Sequence, residues 1–431
     1  MNLNSKEKKG EKMVFVLSKK GVPLMPCCSA IGRLLLKQNK AKVRKTSPFT
    51  IQLNYDSTNY VQNLTLGIDS GSSKIGSSVV NDKSEVIYLS EVEIRNDISE
   101  KLKQRAKYRR SRRNRKTRYR QARWLNRKNS IKNGRFSPTM VSKINCHLKE
   151  INFVKSILPI KNVIIETATF DPHALKNPEV LENLTLYQQG INYGYANTKA
   201  FILNRDSYTC QNKGCKSKEK RLEVHHIIFR KNNGSDEHDN LITLCKTCHD
   251  GVHNEVIDLK LSGKKKGNLN HATQMNSIRK QLLKTLPEAK ETFGFITKEN
   301  RQIMNLPKGH YFDAVAIANE CCDNVNFKIE GVIFKKCIAD GDFQLRKGIR
   351  SEQIIPVRKI MGFRKFDKVK YIGKEYFIKG RMSSGYAILM DINGDKIALK
   401  PIPKFSEMKR ISARKTWITS IEKLNINQNE S

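Results

Sequence analysis

The sequence predicts an α/β multidomain protein, and three observations carry the prediction. Short apolar, β-prone runs ending in acids recur along the chain; a 44-residue window, Cys210 to His253, holds four cysteines and five histidines; and a stretch of dense positive charge separates the first strands from the rest. With 38% hydrophobic residues over 431 positions, the chain can build several modest cores rather than one large one. Lys and Arg number 81 against 41 Asp and Glu, a net charge of +40, which is the balance of a polyanion binder. Nucleic acid is the natural partner. A membrane surface is the competing sink for such charge, but the sequence has no run of 18 apolar residues and no lipidation signature. Ten cysteines without a signal peptide read as metal ligands rather than a disulfide framework, and the expected location is cytoplasmic.

Element by element, the N-terminal FVLSKKGVPLMPCC carries Pro23-Leu24-Met25-Pro26, then an amphipathic helix from Ser29 to Gln38 and a strand from Phe49 to Leu53. NLTLGIDSGSSKIGSSVV and SEVIYLSEVEI read as three strands joined by short turns, with Asp69 ending the first and Gly71, Ser72 and Ser73 beyond it. From Lys101 to Lys128, 15 of 28 residues are Lys or Arg, and no acid appears between Glu100 and Glu150. Lacking Gly and Pro, this segment reads as a long helix stabilised by phosphates on several sides, with structured RNA at least as good a target as duplex DNA. A disordered basic tail is the alternative, and it would sit more naturally at a terminus. The expected contacts are Arg105, Arg109, Arg110, Arg112, Arg113, Arg115, Arg118, Arg120 and Trp124, with Tyr108 and Tyr119 available for stacking.

KNVIIETATFD gives another apolar strand, ending at Glu166, and KGHYFDAVAIANECC an Ala-rich helix that places His310 and Asp313 on one face. Acids from two strand ends and a helix can converge on two Mg²⁺ ions for in-line attack on a phosphate. Between them lies the Cys/His window. Cys210, Cys215, Cys245 and Cys248 form two close pairs, the arrangement that pinches one tetrahedral Zn²⁺. A knuckle with four thiolates leaves the histidines without a structural task. His249 and His253, spaced i, i+4, can share a cation from one helical face, whereas His225 and His226 are neighbours on a strand and point to opposite sides. One can bind a metal while the other addresses a water, a division of labour suited to phosphodiester hydrolysis. From about Asn326, alternating residues broken at Ile372-Gly373, Ser383 to Gly385 and Asn393-Gly394 suggest a small antiparallel barrel or curled sheet. Its Arg364, Lys365, Lys370, Arg381, Lys400 and Lys404 are phosphate contacts or ordinary solvated charges. The KKKG run at 264–267 reads as a hinge, and both termini as disordered.

The window resembles the HNH nuclease motif, the ββα-metal fold, in the subgroup with a zinc knuckle. That resemblance implies His226 as general base, His225, His249 and His253 as Mg²⁺ ligands, and Asn240 as the brace of the loop that orients the base. A plain four-cysteine zinc ribbon would account for the thiols but not for HHI, Asn240 and the i, i+4 pair together. GIDSGS, IIET and HYFDA, supplying Asp69, Glu166, His310 and Asp313, resemble the RNase H-like RuvC nucleases, although GIDxGS also occurs in the sugar-kinase and actin-type fold. The order of these motifs is shared by the type II CRISPR effectors, yet 431 residues is too short for their recognition lobe. Together with Pro23-Leu24-Met25-Pro26, the order resembles the IscB family, the transposon-associated ancestor of those effectors.

The resemblance implies a PLMP domain at 1–60, RuvC part I at 61–94, an arginine-rich bridge helix at 95–130 and RuvC part II at 131–190. It then implies an HNH domain with zinc knuckle at 191–264, RuvC part III at 265–325 and a region contacting guide RNA and a target-adjacent motif at 326–431. The implied function is RNA-guided, metal-dependent DNA cleavage by a prokaryotic monomer within a ribonucleoprotein, using Mg²⁺ or Mn²⁺ and structural Zn²⁺. The HNH centre would cut the guide-paired strand and RuvC the displaced one. A protein-guided HNH/RuvC endonuclease and an RNA-guided DNA-binding protein with weak cleavage are the alternatives.

Overall fold

The computed structural model describes residues 13–58, 60–113, 136–217, 219–263, 269–320, 324–339 and 359–424. It divides into two compact units, Met1–Ala168 with Gln274–Ser431, and Thr169–Thr273.

The first unit opens with a small sheet. Strands β1 (Met13–Leu17), β2 (Cys27–Cys28), β3 (Ala41–Thr46) and β4 (Phe49–Leu53) pair in the order β2-β1-β4-β3, with helix α1 (Ser29–Lys37) between β2 and β3. Leu24 of the PLMP run joins the core of Val14, Val16, Ile51 and Leu53, so this segment is a folded element rather than an isolated turn.

The predicted triplet of strands follows as β5 (Leu64–Ser70), β6 (Lys74–Asn81) and β7 (Glu85–Glu93). Helix α2 (Ile98–Arg113) begins the arginine-rich stretch, and α3 (Pro138–Lys155) leads into β8 (Asn162–Thr167). Ser137 caps α3, its Oγ accepting from Met140 N at 3.3 Å, with Pro138 at the first turn where no amide is missed.

The second unit contains the short helices α4 (Pro172–Lys176) and α5 (Thr198–Arg205), the hairpin β9 (Leu222–His226) and β10 (Leu241–Cys245), and helix α6 (Lys246–His253) directly after it. Arg205 ties α5 to the hairpin, donating to His238 O and Leu241 O, both at 2.9 Å.

The chain continues as α7 (Asn270–Thr285), β11 (Lys290–Phe293), α8 (Gly294–Ile303), α9 (His310–Ala318), β12 (Asn326–Phe327) and β13 (Gly331–Cys337). The last strands are β14 (Lys368–Tyr371), β15 (Lys374–Arg381), β16 (Ala387–Met390), β17 (Lys409–Ser412) and β18 (Trp417–Lys423). An eight-stranded mixed sheet of order β11-β8-β5-β6-β7-β13-β18, with β12 also paired to β7, is the frame of the first unit. Because strand side chains alternate, Leu64, Leu66 and Ile68 turn to one face and pack with Ile144, Ile151 and Val154 of α3 and Met275, Ile278 and Leu282 of α7. Gly67 and Asp69 turn to the other face, where α9 lies. The helix comes so close that a Cβ on Gly67 would fall 2.3 Å from Ala314 O, and one on Gly76 1.8 Å from His310 O. Only glycine admits that approach.

One feature of the large core is polar. Lys335 and Glu150 have fully buried side chains 2.7 Å apart, and Ser77, Ser90 and Tyr88 donate to the same carboxylate at 2.9, 2.7 and 3.0 Å. The C-terminal stretch from 326 divides between two sheets. Its alternating segment does form a separate antiparallel sheet, in the order β16-β15-β14-β17. Residues of β12, β13 and β18 instead join the large sheet, β13 pairing parallel to β7 and antiparallel to β18. Apolar alternation in GVIFKKC shows a strand but not its partner. The KKKG run at 264–267 and the residues proposed as disordered termini at 1–12 and 425–431 lie outside the described residues.

Candidate functional site

In the second unit, β9 and β10 pair so that His225 stands opposite Ile242 and His226 opposite Leu241. Alternation turns His225 inward, where it is buried, and leaves His226 half-buried on the other face. Helix α6 brings His249 and His253 onto the same side as His225, and one ring nitrogen from each lies within 4.8 Å of the others. Ring centroids are 5.1 Å apart for His225 and His249, 5.0 Å for His225 and His253, and 4.5 Å for His249 and His253. Burial first, then the neighbouring imidazoles, push His225 down to about 4, so it stays neutral and able to ligate. Its Nε2 is buried with no hydrogen-bond partner, as a polar atom directed at an ion would be. The three residues fit a divalent cation. Imidazole favours borderline metals, whereas Mg²⁺ prefers oxygen donors, so the expected Mg²⁺ is a weaker match here than at a carboxylate site.

His226 is separate from that cluster. Its Nε2 lies 2.8 Å from Asp236 Oδ1, and Arg230 Nε lies 2.7 Å from the same oxygen. Hydrogen bonds from His226, then Arg230, hold the Asp236 carboxyl below its usual range. In the tautomer that gives Nε2–H to Asp236, Nδ1 carries the lone pair. Asn240 is fully buried; its Oδ1 accepts from Ile228 N at 2.9 Å, and its Nδ2 donates to Ile228 O at 3.0 Å and Ser235 O at 2.8 Å. It therefore closes the loop from the end of β9 to Asp236.

Cys210, Cys215, Cys245 and Cys248 converge with their Sγ atoms within 4.8 Å of one another. Cys245 stands just before α6 and Cys248 in its first turn, so the thiol cluster pins the helix that presents His249 and His253. Asn212 Nδ2 donates to Cys248 Sγ at 3.3 Å, against the burial that pushes this thiol up to about 12.

In the first unit, β5 and β8 are parallel neighbours and pair Asp69 directly with Glu166. α9 adds His310, whose Nδ1 lies 2.7 Å from Asp69 Oδ2. That hydrogen bond is the main cause of the raised His310 pKa. Asp313 faces Arg301 of α8, Nε to Oδ1 at 2.7 Å, although that nitrogen is not aligned for a hydrogen bond. Burial, then the charges of Asp69 and Asp313, push Glu166 up to about 7 against the hydrogen bond from Thr297. Burial and Asp69 likewise raise Asp313, with Arg301 opposing. Mutually repelling, half-desolvated carboxylates are what a divalent cation neutralises, so these oxygen donors fit Mg²⁺ or Mn²⁺. Asp69 is engaged by His310 and Asp313 by Arg301.

Of the residues expected to bind RNA, Arg105, Arg109, Arg110, Arg112 and Arg113 lie on α2; Arg115, Arg118, Arg120 and Trp124 lie outside the described residues. Arg105 lines a cavity of about 760 Å³ together with Arg95, Lys101, Lys336 and Lys365. Sequence reasoning missed Asp236, Thr297 and Arg301. The polar GSDEHDN loop beside HHI was a usable signal for Asp236, whereas α8 carries no motif that would single out Arg301.

Residues 14–190 match the family model described as RRXRR protein and contain the run Arg109-Arg110-Ser111-Arg112-Arg113. Residues 209–255 match the model for HNH endonuclease. No curated protein matches the chain. Among the described residues no helix is long and apolar enough to cross a membrane. The second match contains His226, Asn240 and the three-histidine cluster, and the chain is a DNA endonuclease that carries an HNH domain and hydrolyses phosphodiester bonds.

Proposed function

We propose that the chain is an RNA-guided DNA endonuclease of the IscB type, in which the HNH centre cuts the guide-paired strand and a RuvC centre cuts the displaced strand. The observation that carries this reading is the in-register pair Asp69 and Glu166, with His310 bonded to Asp69, on a sheet whose sequence is interrupted by the unit holding the HNH site. The strand order β7-β6-β5-β8-β11, with β6 antiparallel to both neighbours, supports an RNase H-like core. The RRXRR match supports the IscB assignment. The cavity at the start of α2 holds five cations, Arg95, Lys101, Arg105, Lys336 and Lys365, against two acids, Glu93 and Asp97, which pair with three of them; the net positive lining supports a structured RNA partner held by shape and charge, which would delegate sequence reading to base pairing.

At the HNH centre, His226 Nδ1 takes a proton from the attacking water while Asp236 fixes the ring and steadies the imidazolium. Asn240 holds both residues in one loop conformation. At the acidic centre, His310, held by Asp69 through Nδ1, presents Nε2 to a water or leaving oxygen. Divalent cations held by His225, His249 and His253, and by Asp69, Glu166 and Asp313, would supply Lewis-acid stabilisation of the charge developing on the phosphate. The four cysteines are assigned to a structural Zn²⁺.

The test of guidance is to express the protein with its native flanking DNA and sequence the RNA that copurifies. A discrete RNA species whose digestion abolishes site-specific cleavage is expected; site-specific cleavage that survives RNase treatment would overturn guidance and favour a protein-guided endonuclease.

A further inference from the structure

The backbone turn that meets Glu166 is flanked by two phenylalanines that neither centre uses. β11 runs beside β8, pairing Thr292 with Glu166 and Phe293 with Thr167. The chain then turns into α8 at Gly294, so close that a Cβ there would lie 3.2 Å from Glu166 Oε1. The residues on either side of that contact are Phe293 and Phe295. Phe295 is 71% exposed and Phe293 36%, and their ring planes are within 3° of parallel with centroids 6.2 Å apart. Burying a phenyl side chain stabilises a fold by roughly 1.5–3 kcal/mol, so two phenyl rings left toward water forgo a core contribution. Lys298, one helical turn beyond Phe295, is also exposed.

An aromatic pair, a nearby cation and a carboxylate centre are the elements of a single-strand nucleic-acid subsite. Ring faces bind any unpaired base, the cation takes the adjoining phosphate, and the acids stand beside the backbone. A paired duplex offers no free base face. An apolar protein partner would not account for the carboxylate against the turn between the two phenylalanines or for a chain of net charge +40 that acts on DNA.

We propose that Phe293 and Phe295 form a base-stacking step that holds an unpaired nucleotide of the scissile DNA strand beside Glu166, with Lys298 serving the adjacent phosphate. This rests on reading the Asp69–Glu166 centre as a nuclease. The step makes that centre selective for single-stranded DNA.

The test uses the full chain with its copurified RNA. Binding of single-stranded DNA carrying 2-aminopurine is followed in EDTA, reading fluorescence quenching for stacking and anisotropy for affinity. Replacing both phenylalanines (Phe293→Ala with Phe295→Ala) is expected to relieve quenching and weaken binding roughly tenfold or more, while Phe295→Trp alone retains both. On supercoiled plasmid the double variant is expected to lose displaced-strand cleavage while HNH nicking stays at its wild-type rate. Unchanged quenching and affinity in the double variant would overturn the proposal. Asp69→Ala separates the two failures. If it leaves displaced-strand cleavage intact, the nuclease reading of the centre falls and stacking is judged by quenching alone; if it stops that cleavage while the phenylalanine double variant cuts normally, only the stacking step falls.

Discussion

Replacing Asn240 with alanine would remove the fastening of the HNH loop without touching the metal cluster or the base itself. The side chain is fully buried and makes three hydrogen bonds at 2.8–3.0 Å, all to backbone groups of Ile228 and Ser235. Truncation leaves those groups in a site too buried for water to replace each bond. At about 1–3 kcal/mol per buried group left unsatisfied, the ordered loop loses on the order of 3 kcal/mol or more. The four-cysteine cluster of the second unit includes no residue of this loop, so the loss is expected to appear as loop disorder rather than global unfolding. His226 and Asp236 flank the loop, and a base displaced by about 1 Å already costs on the order of a hundredfold in rate. Single-turnover nicking of the guide-paired strand should therefore fall by roughly a hundredfold or more, with zinc content and displaced-strand cleavage unchanged. A rate within threefold of wild type, at normal zinc content, would refute the bracing role.

Three further outcomes follow from other parts of the structure. Lys335→Met leaves the Glu150 carboxylate without its cation in a site where both side chains are fully buried, and should cost about 3–5 kcal/mol in urea unfolding; adding Glu150→Leu should recover much of the loss, and a cost below about 1 kcal/mol for Lys335→Met would contradict the pairing. His147, buried without a partner at Nε2, is pushed down from 6.5 to about 4, chiefly by burial. Its folded pKa is below its unfolded one, so the associated stability is intact above pH 6.5, declines between 6.5 and about 4, and levels off below, a total of about 3 kcal/mol; His147→Gln should flatten that slope in the pH dependence of unfolding midpoints. Gly76→Ala meets His310 O at 1.8 Å and should displace α9, lowering displaced-strand cleavage at least tenfold while HNH nicking persists.

Much of this was legible in the sequence because local patterns set it. NLTLGIDS alternates, so its faces and the place of Asp69 at the strand end could be read directly, and the i, i+4 spacing of His249 and His253 fixed their common face once a helix was assumed. What escaped depends on which distant elements meet. GVIFKKC reads as a strand wherever it lies, and only the assembled sheet shows that β13 extends the large core instead of the C-terminal module. Arg301 pairs with Asp313 because α8 packs against α9, and no periodicity in GFITKENRQI reports that. Phe295 looks like an ordinary core residue in the sequence, and its exposure beside Glu166 is visible only in three dimensions.

The central claim is that one chain carries two nuclease centres, each assigned to a different DNA strand. The direct measurement is cleavage of a plasmid bearing the guide-matched target, with the two strands labelled separately, by wild-type protein, His226→Ala and Asp69→Ala. His226→Ala should cut only the displaced strand and Asp69→Ala only the guide-paired strand. Cleavage of both strands by either single variant, at the wild-type rate, would contradict the account.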